Sequence, residues 1–223
     1  MQEGWYPGRR VERLHASHSY GFVLALVLAA FLWGAVAPEG AWERTVLVAL
    51  LAGTLATAAW TSGLGRLAIL LSGGLVAVAL VLGIVATQTG KTVTGSLYVL
   101  GAIFVLTSVG VIGLGVFDQR AVNLQAVLGA VSAYLLLGLL FTCAYGSMAA
   151  LGSGDLFVQG TDGTLSLRLY FSYVTLTTVG YGDYTLSTNF GHTVAVLEAL
   201  TGQLYLVTVV ATLVSRMPAR SAA

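Results

Sequence analysis

The chain has 223 residues, of which 57% are hydrophobic and only 9% are charged, and its net charge is +1. An ordinary globular domain has about 25% charged residues, so the composition excludes a typical soluble domain and predicts an integral membrane protein. Because the net charge is close to zero, no basic surface indicates nucleic acid. We expect neither a nucleic-acid partner nor a soluble substrate.

The sequence gives no indication of an enzyme. No group of histidines, cysteines and acids has the spacing of metal ligands, and no serine, histidine and acid constellation stands out. Cys143 is the only cysteine. It lies in an apolar run, so we expect a small buried packing residue. The sequence therefore predicts neither catalysis nor a cofactor.

The first predicted region covers residues 1–17, which are too polar for a cleavable signal peptide. We interpret it as a cytoplasmic segment, either a short amphipathic surface helix or a disordered tail. Four apolar stretches follow, each near the length of about 20 residues that crosses a membrane. They lie near residues 18–37, 43–61, 67–87 and 93–117. Residues 18–117 are thus predicted to form a four-helix transmembrane domain.

The second predicted domain covers residues 118–223. Two more apolar spans, near residues 122–148 and 192–215, enclose a helix-like segment at 165–177 that is too short to cross. We predict that this segment enters the membrane partway and turns back. The expected fold is an all-α membrane protein with six transmembrane helices, a re-entrant helix and a loop.

The loop at residues 177–183 reads Thr-Thr-Val-Gly-Tyr-Gly-Asp. A dehydrated cation needs a cage of oxygens, and backbone carbonyls supply one only if alternate residues adopt positive φ. Glycines at 180 and 182 remove the Cβ clash that disfavours this conformation. A ring around one ion needs about four such strands. One chain supplies one strand, so the motif predicts a homotetramer.

This motif resembles the selectivity-filter signature of potassium channels, whose TVGYG loops bind K⁺ through backbone carbonyls. The resemblance is specific over residues 123–215 and rests on span number alone before residue 118. It implies K⁺ as cargo and no cofactor. It implies an ion-binding loop of Thr178, Val179, Gly180, Tyr181 and Gly182. It implies that Thr177 and Asp183 support that loop, with K⁺ held at residues 178–181.

The six-span arrangement resembles that of voltage-gated channels, but one feature departs from it. The fourth helix of those relatives carries several arginines, whereas residues 93–117 contain no Lys or Arg. Moving one charge through the membrane field supplies about 2.3 kcal/mol per 100 mV. We therefore predict no conventional voltage sensor. Only eight residues follow Ser215, so we also expect no cytoplasmic ligand-binding domain in this sequence.

Three residues of the last span are candidates for roles beyond packing. Glu198 is the only acid that lies inside a predicted span and away from its ends. It either bonds a threonine or tyrosine hydroxyl of the re-entrant helix and restrains the loop, or only fixes helix packing. Gly202 matches the position of the hinge glycine in the potassium-channel family, and close packing is the alternative. His192 is either a sensor of external pH or a solvated residue.

Residues around the loop carry further expectations. We expect an aromatic cuff against the loop, formed by Tyr170, Phe171 and Tyr173. Some members of the resembled family pair a pore-helix glutamate with the aspartate that matches Asp183. Val174 stands at that position here, so this pairing is absent. Two further acids, Asp155 and Asp162, either concentrate cations at the mouth or are ordinary loop charges.

The basic residues predict the orientation. With both termini inside, seven arginines face the cytoplasm, whereas only Arg44, Lys91 and Arg168 lie outside. We expect a multi-pass protein of the plasma membrane whose partners are its own copies and membrane lipids.

Two alternatives to a passive potassium channel remain. One is the ion-translocating subunit of a potassium transporter, although such proteins usually carry four degenerate loops in one chain. The other is a modulatory subunit of a hetero-oligomeric channel.

Overall fold

The computed structural model describes residues 20–38, 40–61, 73, 74, 77, 81, 91–117 and 124–215. Six helices lie in these residues: α1 (Tyr20–Val36), α2 (Ala41–Thr61), α3 (Lys91–Phe117), α4 (Leu124–Leu151), α5 (Leu165–Leu176) and α6 (Asn189–Ser215). Residues 1–17 and most of the span predicted at 67–87 lie outside the described part. Residues 73, 74, 77 and 81 of that span are helical.

Four of these helices, α2, α3, α4 and α6, are long and apolar enough to cross a membrane. Helix α1 has 17 residues, at the lower end of the usual crossing length. Helix α3 begins at Lys91, two residues before the predicted start. Ser96 donates a hydrogen bond to the carbonyl oxygen of Thr92 in this first turn, at 3.0 Å. Helix α3 thus has one lysine at its first position and no other Lys or Arg.

Helix α4 lies at the centre and packs against α1, α3, α5 and α6. It is apolar on every face, as expected for a buried helix. Its small residues bring α3 close to it. A Cβ on Gly101 would lie 3.2 Å from the Cys143 sulfur, and Gly146 lies beneath the Tyr98 ring. Cys143 is fully buried, as predicted.

Coverage of the helices is uneven. Within the most apolar stretch of each helix, 61% of the residues of α4 are buried inside the chain, but only 11% of those of α6. The main core is formed by buried residues of α1, α2, α3, α4 and α5. A second cluster, including Tyr145, Phe157, Phe171 and Leu186, lies under the loops around α5. These contacts hold α5 between α4 and α6 and leave one side of α6 uncovered.

Candidate functional site

Helix α5 is short and capped at both ends. Its 12 residues span about 18 Å, less than the roughly 30 Å hydrocarbon core. At the start, the Thr164 hydroxyl accepts a hydrogen bond from the Leu167 amide at 3.1 Å. At the end, the Thr177 hydroxyl donates to the carbonyl oxygen of Tyr173 at 2.6 Å. The helix forms as expected from the sequence but ends at Leu176, one residue earlier.

The chain reverses tightly after α5. The amides of Val179 and Gly180 both donate to the carbonyl oxygen of Val174, at 3.0 and 3.3 Å. The next segment alternates in backbone conformation: φ is 59° at Thr178, 56° at Gly180 and 76° at Gly182. Positive φ at the two glycines is thereby confirmed.

Thr178 is the one non-glycine residue with positive φ in the described ranges. This conformation is a true outlier for a β-branched residue, and such strain costs on the order of 1–3 kcal/mol. Strain of this kind persists where surrounding contacts impose it, and it concentrates at functional sites. The alternation over 178, 180 and 182 therefore marks this segment as the candidate site.

The far end of the segment is held by Tyr170. Its hydroxyl donates to the Asp183 carboxylate at 2.8 Å. Donating this hydrogen bond raises the pKa of Tyr170 to about 12. The Tyr170 ring also stacks on Tyr181, with centroids 6.3 Å apart and planes at 4°. A tyrosine on α5 thus restrains Asp183, and α5 itself carries no acid.

The expected aromatic cuff is only partly correct. Tyr170 contacts the loop, but Phe171 lies edge-on to Tyr145 and Phe157 on another side of α5. Tyr173 packs edge-on against Phe31 of α1. Phe171 directly follows Tyr170 and therefore points in another direction, whereas Tyr173 lies three residues further, near the face of Tyr170, with its ring against α1.

Glu198 lies fully buried where three helices meet. Its two oxygens lie 2.5 Å from the Ser172 hydroxyl on α5 and 2.5 Å from the Tyr145 hydroxyl on α4. Ser172 also contacts the carbonyl oxygen of Gly138 at 2.8 Å. The reach to α5 was expected, although the partner there is a serine and the tyrosine comes from α4. One side chain of α6 is thus bonded to both helices behind the loop.

Gly202 lies against the C-terminal end of α5. A Cβ at this position would overlap the backbone carbonyl oxygen of Leu176 and lie 3.0 Å from its side chain. Helix α6 continues unbroken through Gly202 to Ser215. The contact with Leu176 therefore supports the interpretation of Gly202 as a close-packing residue. The next residue, Gln203, donates from its amide to the Thr178 hydroxyl at 3.2 Å, a contact that the sequence did not predict.

The loop before α5 closes over the segment after the motif. The Gln159 side chain donates to the carbonyl oxygen of Asp183 at 2.9 Å and accepts from the Thr185 amide at 3.4 Å. Asp162 accepts from the Leu156 amide at 3.2 Å, so its carboxylate orders the loop. His192 lies 2.7 Å from the carbonyl oxygen of Leu186 through a ring nitrogen. These residues brace the outer side of the motif.

Arg168 is the buried cation of α5, only 6% exposed. One guanidinium nitrogen donates to the carbonyl oxygens of Asp162 and Gly163, at 3.0 and 2.6 Å. The other donates to the Tyr98 hydroxyl of α3 at 2.8 Å. The sequence placed Arg168 among ordinary outer charges, whereas the structure uses it to join α3 to α5.

A comparison with protein families gives a match over this part of the chain. Residues 133–218 match the model of a family described as "Ion channel". The match supports an ion channel. The matched range includes the motif, Glu198 and Gly202. It also includes most of α4 and all of α5 and α6. With four helices able to cross a membrane, this channel domain belongs to a multi-pass membrane protein. No curated protein and no solved structure matches the chain.

Proposed function

We propose that this ion channel is potassium-selective and passes K⁺ passively through a pore formed by four copies of the chain. The observation that carries the proposal is the alternation of positive φ at Thr178, Gly180 and Gly182. It lies between a short capped helix and a membrane-length helix. This combination fits a carbonyl-lined strand that replaces the hydration shell of K⁺.

In this proposal α5 is the pore helix and residues 178–182 are the filter. The C-terminal end of a helix carries partial negative charge, equivalent to about half an elementary charge. That end of α5 lies directly beside Thr178, where it favours a cation. The Tyr170 bond to Asp183 and the Glu198 bonds hold the filter at its outer end and from behind.

The uncovered surface supports the tetramer. Val179, Gly180, Tyr181 and Gly182 are exposed in the single chain, and α6 is mostly uncovered. Four chains around an axis bring the exposed strands together and cover the apolar side of α6. A six-span subunit with both termini on the cytoplasmic side of the plasma membrane belongs to the same proposal.

The proposal includes the absence of a conventional voltage sensor. Helix α3 has a lysine only at its first position and no basic residue in the remaining 26 residues. A helix without charges inside the field gains no energy from a change in membrane potential. Gating by voltage would therefore need a charge that lies outside α3.

The test is current through purified protein in a planar bilayer, with K⁺ on one side and Na⁺ on the other. We expect a reversal potential near the K⁺ limit, no steep sigmoidal activation by voltage and a tetrameric mass in detergent. Conduction by the purified chain alone would exclude a purely modulatory subunit. A reversal potential near zero would refute potassium selectivity, and steep voltage activation would refute the missing sensor.

A further inference from the structure

Gln203 is a polar residue of α6 that contacts the inner end of the filter strand. Its side-chain amide donates a hydrogen bond to the Thr178 hydroxyl oxygen, at 3.2 Å. Both side chains are exposed in the single chain. Thr178 is also the residue with the strained φ of 59°. The bond therefore joins α6 to the first residue of the ion-binding segment.

The position of Gln203 follows from its neighbour. Gly202 lies so close to the carbonyl oxygen of Leu176 that no Cβ fits between them. This contact brings the α6 backbone to the end of α5, two residues before Thr178. The side chain that follows Gly202 is then within reach of the strand, and a glutamine is long enough to bond to it.

The chemistry of this bond bears on cation binding. A threonine hydroxyl has two acceptor lone pairs and one hydrogen. The amide N–H of Gln203 occupies one lone pair and places its positive end against the oxygen that a cation would use. A cation at Thr178 would have to share this oxygen with the amide N–H, whose positive end repels it.

We infer that Gln203 weakens the innermost cation site by placing its amide N–H against the Thr178 hydroxyl oxygen. The inference rests on the proposed function, because Thr178 is a cation ligand only in such a filter. Conduction needs sites from which ions leave readily as well as sites they enter. By weakening the innermost site, the neutral side chain of Gln203 allows an ion to leave it readily.

The experiment measures block by Ba²⁺ added on the cytoplasmic side, because Ba²⁺ is a hard cation that takes oxygen ligands. Gln203→Met removes the donor and keeps the chain length, and Gln203→Glu replaces the donor by an acceptor with negative charge. A net hydrogen bond of ordinary strength predicts that Gln203→Met lowers the half-blocking concentration about two- to tenfold. We expect a larger decrease for Gln203→Glu.

Two controls distinguish an effect of the Gln203–Thr178 hydrogen bond from a general change in α6. Leu204→Met alters the next exposed residue of α6, and we expect no change in block. In a Thr178→Val background the acceptor oxygen is gone, so Gln203→Met should have no further effect. An unchanged or raised half-blocking concentration in Gln203→Met overturns the inference. An equal shift in Leu204→Met or in the Thr178→Val background does the same.

A calorimetric titration of purified protein with Ba²⁺ gives the same comparison without current. A reversal potential near zero, with the affinity difference between wild type and Gln203→Met intact, counts against potassium selectivity alone. A K⁺-selective reversal potential without that affinity difference counts against the inference alone. A failure of the inference can thus be distinguished from a failure of the proposed potassium selectivity.

Discussion

The contact between Gly202 and the end of α5 leads to a prediction that separates a packing glycine from a hinge. A methyl group at residue 202 would overlap the carbonyl oxygen of Leu176, a backbone atom that cannot rotate away. Either α6 or the end of α5 must then shift. Because Thr178 follows Leu176 by two residues, the shift is passed directly to the proposed filter strand.

The expected size follows from two opposing effects. Alanine in place of glycine inside a helix normally stabilises it by roughly 0.5–1 kcal/mol. Overpacking a close contact costs about 1–3 kcal/mol. Gly110 of α3 provides the matched control, because a Cβ there meets nothing within 4 Å in the chain. We expect Gly110→Ala to be neutral or stabilising and Gly202→Ala to be less stable than Gly110→Ala by about 1–3 kcal/mol.

The assay is thermal unfolding of the purified oligomer, followed by its loss from size-exclusion chromatography, together with single-channel recording. Gly202→Ala should melt at a lower temperature than both the wild type and Gly110→Ala, and it should shorten the open state. If Gly202→Ala is as stable as Gly110→Ala, the close contact is refuted. A changed open probability with unchanged stability would favour the hinge instead.

Three further predictions follow from the bonds around α5. Glu198→Ala leaves the buried Tyr145 hydroxyl without its partner, so we expect a loss of at least about 1–3 kcal/mol in thermal unfolding. Glu198→Gln, which keeps the volume and one acceptor oxygen, should lose less, and equal stability of the two variants would contradict this role. Tyr170→Phe frees Asp183, so sustained K⁺ current should decay faster at low external K⁺, and unchanged decay would contradict the restraint. Tyr98→Phe leaves a buried guanidinium N–H of Arg168 unpaired and should cost about 1–3 kcal/mol in the same unfolding assay, whereas wild-type stability would show that the bond contributes nothing.

The sequence was sufficient for the order of the helices within the described residues and for the reversal of the chain at the motif. Apolar runs of membrane length predict helices because the backbone must satisfy its own hydrogen bonds in lipid. The run at 165–177 is too short to cross, and the structure has a 12-residue helix there. The glycines at 180 and 182 predict positive φ because only glycine adopts it freely.

The sequence was not sufficient for the contacts between helices. Glu198 was singled out as an acid in an apolar span, but its serine and tyrosine partners depend on how α4, α5 and α6 are rotated about their axes. Helix rotation is set by packing, and a helix that is apolar on every face carries no periodic signal for it. Gln203 follows the singled-out Gly202 directly, yet only the approach of α6 to Leu176 shows that it reaches Thr178.

The contacts of Arg168 bear on the role of the helices that precede α4. Helix α3 contributes Tyr98, whose hydroxyl accepts a hydrogen bond from Arg168 at 2.8 Å. The ring of Tyr98 lies 5.3 Å from the guanidinium carbon. Because Arg168 also donates to two loop carbonyls that precede α5, it fixes the start of that helix to α3. Within a single chain, α3 thus contacts α5 through Arg168, and α1 contacts it through Phe31. Both therefore help to orient the helix whose other end leads into the proposed filter.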